Sequence, residues 1–87
     1  MNDYNNTNER IILTVREIKS ELKTLDFLLK HAEERRDELK AIDLPRTEQN
    51  HDKRRLRGAF VSRLNSEIAD YVYRVEMLES MLAGMEE

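Results

Sequence analysis

Apolar residues recur along the chain in alternating steps of four and three. The first series runs from Ile11 to Leu39 through Val15, Ile18, Leu22, Leu25, Leu29 and Ala32, with Arg36 as its one charged member. A second runs from Val61 to Met85 through Leu64, Ile68, Tyr71, Val75, Leu78 and Leu82. Steps that average about 3.5 residues hold one side of an α-helix toward a neighbouring helix, so each series predicts a long helix with a single stripe to bury. The nearest partner for each stripe is the other. The fold class expected is all-α: an antiparallel helical hairpin of coiled-coil type, read as one domain over residues 1–87.

Local signals place the ends. Asn6 with Glu9 three positions on is a candidate helix start, so helix 1 is predicted over about residues 7–42. Pro45 disfavours the helical conformation at Leu44 and cannot donate a backbone bond, which puts the turn at residues 43–47. Thr47 is the expected cap of helix 2, over about residues 48–84, and Gly84 is its expected stop. Antiparallel neighbours joined by a short loop suggest layers of Leu22 with Tyr71, Leu25 with Ile68 and Leu29 with Leu64. That register sets Arg36 opposite Arg57, Leu39 opposite Arg54 and Asp43 opposite Asn50.

The stripes do not use all the large apolar residues. Ile12, Leu13, Phe27 and Leu28 on helix 1, with Phe60, Val72 and Met81 on helix 2, lie off them, and Met77 and Tyr73 widen the apolar surface further. A chain of 87 residues folded as a lone hairpin has one interface in which to bury such side chains. Self-association into a four-helix bundle or larger helical oligomer is therefore expected, a dimer first, with Ile12, Leu13, Phe27, Leu28, Phe60, Val72 and Met81 as the oligomer interface.

Charge changes the picture at one place. The chain carries 15 Lys and Arg against 18 Asp and Glu, a net −3, which disfavours nucleic acid or an anionic membrane as a bulk partner. Between Arg46 and Arg57, however, there are five basic and two acidic residues. Arg35, Arg36, Arg46, Lys53, Arg54, Arg55 and Arg57 form the candidate anion or partner-binding set. Cations in the first turns of a helix oppose its dipole and call for a counter-charge, either an external phosphate or the nearby Glu33, Asp37, Asp43 and Asp52. The aromatic residues that a single-strand binder would stack on bases are missing from this end.

Catalytic and metal chemistry find no constellation. Ser20, Ser62, Ser66 and Ser80 have no histidine within helical reach, and no glycine-rich loop exists. Glu48 and His51 have the Glu-x-x-His spacing of di-iron bundles but sit at a helix start, away from the stripe, and His31 has no acid arranged with it. No catalytic residue, metal or cofactor is expected, so the chain is read as not an enzyme. Without cysteine, a basic leader or a long apolar run, it is expected to be cytoplasmic, with no membrane partner. The function expected is that of a small non-catalytic regulator or inhibitor that binds another macromolecule through its helix faces, a protein before nucleic acid or nucleotide. The alternative is a polyanion, nucleotide or nucleic-acid binder that uses the arginine-rich turn end.

Overall fold

The structure, a computed structural model, describes residues 14–86. Among them are two long helices: α1, Val15–Ala41, 27 residues, and α2, His51–Glu86, 36 residues, the latter preceded by a 3-10 turn over Glu48–Asn50. They pack against each other as a hairpin, and no strand occurs among the described residues. The antiparallel sense is plain from two links: Lys19 near the start of α1 pairs with Glu86 at the end of α2, and Arg57 near the start of α2 donates to the carbonyl of Ile42 after α1.

Helix α1 begins with a capping box that the sequence spells out as Thr14-Val15-Arg16-Glu17. The Thr14 hydroxyl oxygen accepts from the Glu17 N–H at 3.1 Å, and the Glu17 carboxylate accepts from the Thr14 N–H at 3.0 Å. Two amide donors with no partner inside the helix are satisfied at once. Thr14 itself is extended (φ −79°, ψ 160°), so the expected uninterrupted helix from about residue 7 does not form: α1 starts at Val15. The cap proposed at Asn6 lies outside the described residues. Bonds from the Thr14 N–H and then its hydroxyl hold the Glu17 carboxyl below its usual 4.5. A carboxyl lowered on folding adds stability above its unfolded value, and that gain is lost as pH falls through the folded value.

The seam between the helices is the core. Ile18, Leu25, Ala32 and Leu39 are the buried residues, each seven positions after the last, and Ile18 and Leu25 are 0% and 1% exposed. Val15, Leu22 and Leu29 on α1 are half-buried beside them. On α2 every shielded residue belongs to the predicted stripe and its continuation toward the turn, namely Arg54, Arg57, Val61, Leu64, Ile68, Tyr71, Val75, Leu78 and Leu82, and Asn50 in the 3-10 turn before it is shielded too. None of them is fully buried, because one neighbouring helix covers only part of a helix's circumference. Met85, the last member of the predicted stripe, is exposed.

The facing pairs differ from those expected. A layer of Leu25 with Ile68 would set Glu86 beyond the first turn of α1, about 18 Å along the helix from Lys19. The two are instead 3.3 Å apart. Leu25 and Glu21 share a furrow with Arg74 and Leu78, Ala32 and Arg35 share one with Leu64 and Glu67, and Leu39 meets Phe60. These neighbours fit a register displaced by seven residues, with Leu25 at the level of Val75 and Ala32 at that of Ile68. The same displacement undoes the expected pairs of Arg36 with Arg57 and Leu39 with Arg54.

The connection explains the displacement. Ile42 (φ −66°, ψ 123°) and Thr47 (φ −123°, ψ 160°) are extended and the Thr47 N–H donates to the Pro45 carbonyl at 2.8 Å, so the segment runs as a strap with a bend at Arg46. Fully extended, six residues reach at most about 20 Å, and even shortened by that bend the strap is long enough to pass beside the first turn of α2. The Asn50 side-chain amide donates to the Pro45 carbonyl at 3.1 Å, and half-buried Leu44 lies in a furrow with Lys53 and Leu56. Thr47 occupies the cap position with no side-chain cap bond; its carbonyl accepts from the Asn50 N–H.

Both glycines are ordinary helical residues. α2 continues through Gly84 to Glu86, so Gly84 is not the stop, and a Cβ at Gly58 would meet nothing within 4 Å. Gly58→Ala should therefore stabilise the hairpin by about 0.4–1 kcal/mol, through reduced freedom of the unfolded chain. Leu25→Ala should cost about 2–5 kcal/mol and more than Leu29→Ala, since Leu25 is the better buried. Urea unfolding followed by circular dichroism reads all three; a neutral Leu25→Ala would contradict the seam.

Candidate functional site

Helical periodicity sorts the large apolar residues left outside the seam. Taking Leu25 as pointing to α2, Leu28 lies about 60° to one side and Phe27 about 160° away, on the outer surface. Phe27 is 63% exposed and its ring stacks on His31 at 5.2 Å. On α2, Phe60, Met77 and Met81 turn toward the side of the hairpin on which Leu28 lies, and Val72 toward the opposite side. The furrows agree with that sorting: Met77 and Met81 flank Leu25, Leu28 borders Leu64 and Tyr71, and Phe60 lies beside Leu39, Ile42 and Leu56.

One flank of the hairpin therefore carries Leu28, Ile42, Leu56, Phe60, Met77 and Met81, all exposed. The other is lined by Lys19, Asp26, Glu33 and Lys40 of α1 with His51, Asn65 and Glu79 of α2, and Val72 is its one large apolar residue among those described. Of the seven residues expected at an oligomer interface, Leu28, Phe60 and Met81 share the apolar flank, Phe27 and Val72 face elsewhere, and Ile12 and Leu13 lie outside the described residues. Ile42 and Leu56 were not singled out from sequence. Leu56 stands alone between Arg55 and Arg57 and Ile42 lies past the end of α1, and they come together across the strap in the displaced register.

The basic set is divided. Arg35 and Arg36 sit within α1, about 15 Å along the axis from the level of Arg54. Arg35 approaches Glu38 at 4.0 Å and Arg36 pairs with Asp37 at 3.1 Å, while Arg55 approaches Asp52 at 3.8 Å. Exposed pairs of this kind contribute little to stability. Arg57 is engaged differently, since its guanidinium donates to the Ile42 carbonyl and so places a cation at the negative end of α1, where carbonyls lack helical partners. Among the described residues, Arg46, Lys53 and Arg54 form no ion pair, and Arg54 Nε is shielded from solvent without a hydrogen-bond partner. Of the expected counter-charges, Glu33 and Asp43 do not engage the cluster through an ion pair.

The His51 N–H, at the start of α2, donates to the carbonyl of Glu48 in the 3-10 turn, and the described residues contain no group of three or more His, Cys, Asp or Glu able to hold a metal ion. The arrangement at this end is one of cations and apolar side chains. Arg57→Gln should lower stability by about 1–2 kcal/mol through loss of the bond to Ile42. Arg46→Gln with Arg54→Gln should leave the melting temperature unchanged or slightly raised. Thermal unfolding of the variants tests this; equal losses for both would mean that the whole cluster is structural.

Comparison with known proteins adds no assignment to this arrangement: no protein-family model, no curated protein and no solved structure matches the chain.

Proposed function

We propose that the chain is a non-catalytic protein-interaction module that self-associates and, as a small regulator or inhibitor, occupies the surface of another protein through its helix faces. The observation that carries this reading is the apolar flank. Full burial of one large apolar side chain contributes about 1.5–3 kcal/mol, so six that are roughly half covered leave on the order of 1 kcal/mol each to be gained from a partner. Six of the ten large apolar residues exposed among those described share this flank and only Val72 lies on the opposite one, which supports an interaction surface rather than scattered exposure. Methionines at 77 and 81 adapt to differently shaped partner surfaces.

The second reading, a polyanion or nucleotide binder, is favoured by Arg46, Lys53 and Arg54, which have no carboxylate partner among the described residues. It ranks lower because the net charge is −3 and only a short stretch opposes it. The two separate on salt: apolar contact persists at about 0.5 M NaCl, whereas phosphate binding weakens steeply.

A photo-crosslinking residue at Phe60 or Met77, compared with one at Asp26 or Glu79, tests the first reading in a lysate of the native host. Adducts with a protein other than this chain should form from the apolar flank, survive high salt and disappear with Leu28→Asp. Adducts of equal yield from both flanks, or none at high salt, would refute it.

A further inference from the structure

The apolar flank also carries a charge gradient, and the gradient selects an occupant. In the half of the flank near the open end of the hairpin lie Glu17, Glu21 and Asp70 against Arg74, a net −2. In the half near the strap lie Arg35, Arg63 and Lys53 against Glu38, a net +2. Glu67 sits between the halves. Resting on the self-association just proposed, we infer that the flank is covered by a second copy of this chain laid antiparallel to the first. The strap end of each hairpin then meets the open end of the other about a two-fold axis near Glu67.

Antiparallel placement sets each −2 half against a +2 half; parallel placement sets like on like. It also supplies the basic strap end with a counter-charge for Lys53, which pairs with no acid among the described residues. The apolar residues follow the same symmetry, since the Met77 and Met81 end comes to lie over the Ile42, Leu56 and Phe60 end of the second copy. A strip as long as α2, about 54 Å, and one helix wide, about 11 Å, amounts to roughly 600 Å² per copy. The pair would bury roughly 1,200 Å², at the lower bound for stable specific interfaces.

The chain has no cysteine, so single labels are clean. Ser66 and Ser80 are exposed and lie on the outer side of α2, away from the flank. Spin labels on Ser66→Cys should be about 25 Å apart in the assembled protein and labels on Ser80→Cys about 40 Å or more. A parallel dimer gives about 25 Å or less at both sites and overturns the antiparallel arrangement. Sedimentation equilibrium of the full chain should give about twice 10.4 kDa. Phe60→Asp should weaken the dimer about 100-fold, and Val72→Asp on the other flank less than about threefold, with helicity retained in both. A wild-type chain that remains a monomer at about 100 µM overturns the inference, as does equal weakening by the two variants. A monomer would also remove the self-association on which this inference rests, whereas parallel label distances would leave it standing; binding of a different protein is read separately, from adducts of the flank with that protein.

Discussion

The burial of Ile18, Leu25, Ala32 and Leu39 against one side of α2 is the interaction on which the rest of this structure depends. Most of the stability of a helix in a folded protein comes from packing its apolar face rather than from intrinsic propensity. The capping box at Thr14 and the ion pairs along the exposed surfaces supplement that packing without replacing it. A two-helix interface is one-sided, however. α1 covers only part of α2's circumference and leaves the seam residues of α2 half-exposed. The apolar flank follows from that geometry: large side chains next to the seam have one wall and no roof.

The strap from Ile42 to Thr47 has a larger effect on the surface than its length suggests. Because it passes beside the start of α2, that helix overhangs the end of α1. The overhang brings Leu44, Leu56 and Phe60 beside Ile42 and so extends the apolar flank to the turn end. It also places the Arg57 guanidinium at the carboxyl end of α1, which converts one arginine of the basic run into a helix-terminal contact. The remaining cations, Arg46, Lys53 and Arg54, are left without acids of their own among the described residues. Apolar surface and unneutralised charge at this end therefore have one structural origin.

Sequence alone determined the helices and the faces they bury. Steps of four and three place side chains on one side of a helix whatever the partner, so the shielded residues of both helices were legible as Leu22, Leu25, Leu64, Ile68 and their successors. The start of α1 was misplaced by the cap signal of Asn6 with Glu9, whereas Thr14-Val15-Arg16-Glu17, a signal of the same form, is the one that caps α1. Only the tertiary structure decided the register, because a seven-residue repeat is unchanged by a slide of seven residues: Leu25 is as well matched to Val75 as to Ile68. The choice falls to the loop, whose extended or tight form no residue pattern around Pro45 dictates. From the register follow the neighbours across the seam, the grouping of Leu28, Phe60 and Met81 on one flank, the exclusion of Phe27 and Val72 from it, and the dispersal of the arginines. Each depends on which residues lie at one level of the rod, a property that helical periodicity leaves open and packing fixes.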